Sequence, residues 1–201
     1  AMEIVNVSDP ANPVHAANIV NNYSTVNLYH PYSIFISGNY AYVAGVRGLQ
    51  IIDISNPSSP IAKDSFLDGD DDIYFEPWSV FVSGDYAYLA SYWPGKLVVL
   101  NISDPNNIVF TGELNHGTDN ANLECANSIY VSNNYAYITN DCDYALEVVN
   151  VSNPSTPTHV TKIDNSTGAE FEGPISVSVN NGYAFIASNY NNIFEVIKVP
   201  N

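Results

Sequence analysis

At 201 residues with 46% hydrophobic side chains, the chain is long enough for one or two domains and apolar enough to build a core. Its 21 acidic residues outnumber 5 basic ones, and the net charge of −16 disfavours nucleic acids and anionic membrane surfaces as partners. The same charge favours cations and cationic partners, although its simplest interpretation is solubility. There is no apolar run near the roughly 20 residues of a membrane span and no signal peptide.

Two short phrases recur about every 48 residues. The first reads IVNVSDP, IIDISNP, LNISDP and VVNVSNP, beginning at Ile4, Ile51, Leu100 and Val148. The second reads GNYAYVAG, GDYAYLAS, NNYAYITN and NGYAFIAS, and its aligned tyrosines are Tyr40, Tyr86, Tyr135 and Tyr183. A period in this range indicates a solenoid, a propeller or an array of one supersecondary unit.

The stretch 31–69 shows what one unit contains. Strands are predicted at 33–37, 40–44, 49–55 and 61–67, because runs of β-branched and aromatic residues are bounded there by Gly, Pro and Asn. Period-2 alternation and the near absence of a helical period place the chain in the all-β class. Four strands in a unit of 40–50 residues are typical of a β-propeller blade.

The whole chain is therefore predicted to be a single β-propeller body with about four to five blades visible. It consists of a partial unit (3–20), three complete units (31–69, 77–117 and 126–166) and a final partial unit (174–199). Both partial units contain the third strand of a blade. A closed ring would complete one blade from the two chain ends, so one of these strands is surplus. Three arrangements remain open: a piece of a larger propeller, a four-bladed ring with one displaced strand, or two chains joined through unpaired terminal strands. The first is favoured because the chain begins in the middle of a unit.

The phrases G-x-Y-A-Y-V-A and G-L-Q-I-I-D-I-S-N-P-S-S-P-I resemble the LVIVD repeat family, and the resemblance covers essentially the whole chain. The stretch 49–53 (LQIID) corresponds to the five residues that give the family its name. Later units depart from it, since Asn101, Asn150 and Lys198 stand at the place of Asp53. The resemblance implies a bacterial or archaeal cell-surface or secreted propeller that acts as a surface interaction module, and it carries over no catalytic residue.

Composition also points outside the cell. Lysine is rare, Asn, Ser and Tyr are abundant, and five Asn-x-Ser/Thr acceptor sequences occur. These features favour an extracellular or cell-surface location.

The loops that join successive blades, and those between the second and third strand of each blade, are predicted to emerge on one face. They lie at 20–31, 67–77, 115–126 and 164–174, and at 45–48, 91–96, 140–145 and 188–193. Functional residues concentrate on such loops. Aromatic residues that reach this face could stack on sugars or hold a cation, or could serve only for packing. The candidates for a protein-binding or glycan-binding face are Tyr29, Trp78, Tyr92, Trp93 and Tyr144.

Four residues just ahead of the first strands are predicted to line the mouth of the central channel: His30, Glu76, Glu124 and Glu172. Carboxylates around an axis suit calcium, so an alternative function is a calcium-dependent hydrolase or lyase. Asp68, Asp70, Asp71 and Asp72 form a second candidate calcium site. In both cases the other interpretation is solvated acids without a metal.

Cys125 and Cys142 are predicted to lie on the same face, which makes a disulfide reasonable, although two free thiols remain an alternative. The sequence has no G-x-S-x-G, no H-E-x-x-H and no phosphate-binding glycine loop. The leading hypothesis is therefore a non-catalytic binding module, with the calcium-dependent enzyme and a structural spacer as alternatives.

Overall fold

The structure is a computed structural model that describes residues 1–22, 24–67 and 75–199. Strands dominate these ranges, with two short 3₁₀ turns at Thr118–Asn120 and Asn165–Thr167. In the same ranges no helix is long and apolar enough to cross a membrane.

The strands form five separate antiparallel sheets in chain order. The N-terminal hairpin consists of β1 (Met2–Asn6) and β2 (Val14–Ile19). The first blade consists of β3 (Pro31–Ser37), β4 (Tyr40–Gly45), β5 (Gly48–Asp53) and β6 (Ile61–Leu67). The second blade consists of β7 (Glu76–Ser83), β8 (Tyr86–Trp93), β9 (Lys96–Asn101) and β10 (Val109–Asn115). The third blade consists of β11 (Ala126–Ser132), β12 (Tyr135–Asn140), β13 (Ala145–Asn150) and β14 (Thr158–Asp164). The fourth blade has three strands, β15 (Pro174–Asn180), β16 (Tyr183–Ser188) and β17 (Ile193–Lys198).

Each blade is an up-and-down meander, as the repeat predicts. In the first blade the order is β3-β4-β5-β6, and the turn between β3 and β4 places Gly38 at a φ of 55°, where a residue without a Cβ is unstrained. The tight turn between β4 and β5 depends on Gly48, whose φ is 148° and where an added Cβ would lie 2.0 Å from the Phe66 carbonyl oxygen.

The third strand of the first blade, β5, ends at Asp53, two residues before the end of the predicted range 49–55. In the first blade the Ser55 amide donates to Asp53 Oδ1 at 2.9 Å, a local turn that competes with continuation of the strand. The side-chain oxygens of Asn6, Asn101 and Asn150 accept the equivalent hydrogen bond from the amide of the serine two residues later in the chain. Asp and Asn are interchangeable here because the turn needs only an acceptor oxygen.

Neighbouring blades are joined through their first strands. The Val80 amide donates to Ser33 Oγ at 3.3 Å, the Ile129 amide to Ser79 Oγ at 3.2 Å, and the Val177 amide to Ser128 Oγ at 3.3 Å. This regular side-by-side contact places the first strands around a common axis, as in a propeller.

The core lies between the blades. Tyr42, Tyr88 and Tyr137, which belong to the second recurrent phrase, are buried there. Burying a large aliphatic or aromatic side chain contributes roughly 1.5–3 kcal/mol, so each interface is a substantial source of stability.

The ends of the row are open. The strand that the sequence leaves over in a closed ring is present as β17, which pairs with β16 over six residues. Among the described residues the fourth blade forms no ladder with the N-terminal hairpin.

Candidate functional site

Both kinds of loop meet on one side of the row of blades. The Arg47 amide, in the turn between β4 and β5, donates to the Phe75 carbonyl at 2.7 Å. The His116 amide donates to the Gly95 carbonyl at 2.9 Å, and the Tyr190 amide to the Glu172 carbonyl at 3.1 Å. We call this surface the loop face. It presents side chains from loops that are distant in sequence.

An aromatic row runs across the first two blades on the loop face. Trp78 stacks on Tyr92 with ring centroids 4.2 Å apart and planes 17° apart, and Tyr32 lies 5.2 Å from Trp78 on the other side. Tyr32 and Trp78 occupy equivalent positions on β3 and β7, where the later blades carry Asn127 and Ile175. The row is therefore built by one repeat position together with the end of β8.

Further aromatic side chains flank the row. Trp93 is 57% exposed, and Tyr29 packs edge-on against His30 with the Arg47 guanidinium 6.0 Å from its ring. Near the fourth blade, Tyr144 meets Tyr190 edge-on at 6.4 Å. Tyr190 is 59% exposed and was not among the sequence candidates, although its position in the 188–193 turn was a usable signal.

Carboxylates accompany the aromatic rings. The Tyr190 hydroxyl donates to Asp141 Oδ2 at 3.5 Å, and the negative charge of Asp141 is the main reason that the pKa of Tyr190 is raised. Burial, together with the charge of Glu76, raises the pKa of Tyr32. The loop face therefore combines flat apolar rings with hydrogen-bond acceptors.

The four predicted channel-mouth residues do not gather into one cation site. Within the described ranges, the one group of three whose ligand atoms all lie within 4.8 Å of one another is His116, Glu124 and Asp143. His30, Glu76 and Glu172 are not members of this group. Asp68, Asp70, Asp71 and Asp72 lie outside the described residues.

The surroundings of the His116, Glu124 and Asp143 group contain one feature that favours a metal site and one that disfavours it. Asp143 Oδ2 is buried without a hydrogen-bond partner, and burial followed by the charge of Glu124 raises the pKa of Asp143. The Leu123 amide, however, donates to His116 Nδ1 at 3.2 Å, which occupies one of the two nitrogens that could bind a metal. The group offers a cation at most one free imidazole nitrogen and two carboxylates.

A disulfide joins Cys125 to Cys142, with their Cα atoms 5.5 Å apart. Cys125 ends the loop between the second and third blades, and Cys142 lies in the turn between β12 and β13. Because Glu124 and Asp143 are their chain neighbours, the bond holds these two carboxylates on adjoining loops.

Sequence reasoning missed a buried acid beneath the loop face. Glu147, on β13, is completely buried; Oε1 contacts His159 Nδ1, and Oε2 accepts the Asn122 amide at 3.0 Å. Burial raises its pKa, while His159 and the Asn122 amide act in the opposite direction. The equivalent side chains of the first and fourth blades make the same contact, since Gln50 accepts the Asn27 amide at 2.7 Å and Glu195 the Glu170 amide at 3.1 Å. In these three blades the position fastens the incoming loop to the third strand, whereas the second blade has Val98 there.

Solved structures define the class of protein. The chain aligns with the β-propeller domain of Cps50 (Swd1) from Myceliophteria thermophila at a TM-score of 0.70 and 10% identity, covering 98% of this chain and 62% of that one. A functionally unknown protein from Desulfotomaculum acetoxidans gives a TM-score of 0.70 at 16% identity, with 98% and 61% covered. Hydrazine synthase from Kuenenia stuttgartiensis gives 0.66 at 13%, with 90% and 49% covered. The fold is that of β-propeller blades, and the chain spans about half to three fifths of the length of these proteins.

The family follows from the sequence itself. The LVIVD repeat matches three times, at residues 31–68, 76–116 and 125–165, which together make up more than half of the chain. The protein therefore belongs to the LVIVD repeat family, as the recurrent phrases predicted. No curated protein sequence matches it.

Proposed function

We propose that this protein is a non-catalytic binding module that holds a protein or glycan partner on its loop face, in an extracellular or cell-surface setting. The observation that carries the proposal is the aromatic row of the exposed Tyr32 and Trp78 and the half-buried Tyr92, with the exposed Trp93 beside it. The propeller repeat fold supports an interaction module in general.

The chemistry of the loop face suits this task. Aromatic rings supply contact area at a low cost in conformational entropy, and tyrosine and tryptophan are enriched where binding energy concentrates. Stacking on the faces of sugar rings or on a cationic side chain uses the same geometry. The adjacent carboxylates can accept hydrogen bonds from sugar hydroxyls or from lysine and arginine.

The test is direct binding to defined probes. Labelled protein is applied to a glycan microarray and to an array of short basic peptides, and each positive spot is titrated in solution. Trp93→Ala should weaken binding at least tenfold. Phe110→Ala is the matched control, because Phe110 is also an exposed aromatic residue but lies on the outer strand β10. If both variants bind like the unaltered protein, the loop face is not the binding surface.

A second candidate function, a calcium-dependent hydrolase or lyase, is favoured by the His116, Glu124 and Asp143 group with its unpartnered buried oxygen. Calcium that binds only the folded protein must raise the free energy of unfolding, and with it the melting temperature. At a calcium concentration one hundred times the dissociation constant, the gain in free energy is about 2.7 kcal/mol. Chelator-treated protein is melted across a calcium titration, with Asp143→Asn as the control. A saturable rise that Asp143→Asn lacks would support this candidate, and a flat titration would reject it.

A further inference from the structure

Two Asn-x-Ser sequences stand at equivalent positions in the second and third blades. Asn101 is the last residue of β9 and Asn150 is the last residue of β13, and each is followed by an aliphatic residue and then by Ser103 or Ser152. Both blades have a neighbouring blade on either side. The surroundings of these two asparagines are therefore the same wherever the row of blades ends.

The asparagine oxygen is engaged in both sequences, whereas the asparagine nitrogen is not. Asn101 Oδ1 accepts the Ser103 amide at 3.0 Å and the Ser103 hydroxyl at 2.7 Å. Asn150 Oδ1 accepts the Ser152 amide at 2.9 Å. In the part of the chain that the structure describes, Nδ2 of these two half-buried side chains donates to no acceptor. The turn therefore leaves the nitrogen available for another bond.

The fold does not require asparagine at this repeat position. In the first blade Asp53 makes the same turn, because its Oδ1 accepts the Ser55 amide at 2.9 Å. An acceptor oxygen is all that such a turn needs. The amide nitrogen of Asn101 or Asn150 consequently has no part in holding the turn, and its presence calls for another explanation.

We propose that Asn101 and Asn150 carry N-linked glycans. Asn-x-Ser is the acceptor sequence for this modification, provided that the middle residue is not proline. A separate transferase joins Nδ2 to the anomeric carbon of a sugar and breaks the bond between that carbon and the pyrophosphate of an activated glycan donor. The Nδ2 proton passes to a base and the pyrophosphate leaves as an anion. The inference rests on the extracellular setting proposed above, but not on the identity of the partner.

The acceptor geometry is available before a blade has formed. Its hydrogen bonds join residues only two apart in the chain, and local bonds of this kind need no tertiary structure. The middle residues Ile102 and Val151 are only 5% and 3% exposed, so the backbone of a closed blade cannot enter a transferase. Attachment therefore precedes folding. Ser103 and Ser152 are exposed in the folded chain, which places the turn at the surface, where a bulky glycan can be accommodated.

An internal control lies three residues after Asn150. Asn153 forms a similar turn, since its Oδ1 accepts the Ser155 amide at 3.3 Å and the Ser155 hydroxyl at 2.9 Å. Pro154 stands between these two residues, which excludes Asn153 as an acceptor. Its Nδ2 also donates to Thr156 Oγ1 at 2.8 Å. Asn153 should therefore carry no glycan.

The two glycans would lie away from the loop face. β9 and β13 each begin at a loop-face turn, at Lys96 and Ala145, and run for six residues to the modified asparagine. At about 3.3 Å per residue, this places Asn101 and Asn150 roughly 16 Å from the loop face. The carbohydrate would cover the opposite face of the row and leave the loop face open to its partner.

The test is glycopeptide mass spectrometry of the protein as its natural source produces it. Chymotrypsin is used for digestion, because lysine and arginine together number only 5. Electron-transfer fragmentation then assigns each glycan to one asparagine. Asn101 and Asn150 should each carry a glycan in most molecules and Asn153 in none. Unmodified Asn101 and Asn150 would overturn the proposal.

Variants secreted from a eukaryotic host test the assignment independently. Asn101→Asp should lose the glycan from its peptide with an unchanged circular dichroism spectrum, because Asp53 shows that aspartate supports the turn. Ser103→Ala should lose the same glycan and Ser103→Thr should keep it, whereas Asn153→Asp should change nothing. A glycan that persists on the Asn101→Asp peptide would contradict the assignment.

The outcome can be separated from that of the proposed binding function. Enzymatic removal of the glycans should leave the affinity for a loop-face ligand unchanged, since the two surfaces are far apart. Occupied asparagines in a protein that binds no array ligand would reject the binding function alone. Binding at the loop face by a protein without glycans would reject this inference alone.

Discussion

The buried carboxylate of Glu147 provides a sharp test of how the loops are fastened to the blades. Glu147→Ala leaves the buried Asn122 amide without its partner, and it removes the partner of His159 Nδ1, whose side chain is 19% exposed. Leaving a buried polar group unsatisfied costs about 1–3 kcal/mol, so the Asn122 amide together with the lost packing predicts a loss of roughly 2–4 kcal/mol in the free energy of unfolding. Urea denaturation at neutral pH measures this loss.

Glu147→Gln tests whether a neutral side chain of the same shape can keep these hydrogen bonds. A glutamine oxygen can accept the Asn122 amide as Gln50 accepts the Asn27 amide, and its NH₂ group can donate to a neutral His159. This variant should therefore remain within about 1 kcal/mol of the unaltered protein. Glu195→Ala removes the equivalent contact at a less buried position and should cost less than Glu147→Ala.

The pH dependence follows from the raised pKa of Glu147. Because the folded state holds the proton more tightly than the unfolded state, this group contributes most stability below the ordinary glutamate pKa of about 4.3. That contribution is lost as the pH rises through the folded-state pKa. The stability of Glu147→Gln relative to the unaltered protein should therefore increase from about pH 4 to neutral pH. If Glu147→Ala unfolds at the same urea concentration as the unaltered protein, the proposed fastening is wrong.

Three further predictions concern the frame that positions the loop face. Cys142→Ser should lower the free energy of unfolding by up to roughly 3 kcal/mol in the chain-entropy model. Urea denaturation should show the same loss for the unaltered protein in reductant. If the variant and the oxidised unaltered protein are equally stable, the disulfide does not restrain the loops. Ser79→Ala should cost about 0.5–1.5 kcal/mol, because the Ile129 amide loses its acceptor between blades, and a neutral result in urea denaturation would deny that this contact stabilises the interface. Gly48→Ala should lower the melting temperature far more than Gly117→Ala, since both positions have positive φ but only Gly48 has backbone within 4 Å of an added Cβ; equal losses would contradict the close approach of Phe66.

The repeat made most of the fold predictable. Alternation marked the strands, and the Gly-Asn and Gly-Asp turns marked their hairpins, so that the predicted 61–67 strand coincides with β6. The third strand was predicted too long at its C-terminal end, because the apolar pattern continues to Ile54 while the Asp53 side chain turns the backbone. Local side-chain hydrogen bonds of this kind are invisible to hydrophobic periodicity.

The candidate site was predictable only in part. Position in a predicted loop, or directly beside one for Trp78, indicated that Trp78, Tyr92 and Trp93 reach one face, because loop position in a propeller determines the face. It could not indicate that Trp78 stacks on Tyr92 or that Tyr32 lies against Trp78, since the first contact depends on side-chain orientation within a blade and the second on the lateral spacing of blades. The Glu147–His159 contact was missed because alternation shows which way Glu147 points but not what lies opposite it.

The most direct test of binding at the loop face uses the two tryptophans of the chain, Trp78 and Trp93, both of which lie on that face. Protein labelled with 5-fluorotryptophan gives two ¹⁹F resonances, which are assigned with Trp93→Phe. The resonances are followed while the strongest array ligand, glycan or basic peptide, is titrated. We predict that the Trp93 resonance shifts or broadens in a saturable way, with an affinity equal to that measured by calorimetry. Binding detected by calorimetry with both resonances unchanged would show that the partner binds elsewhere, and would contradict the proposed function.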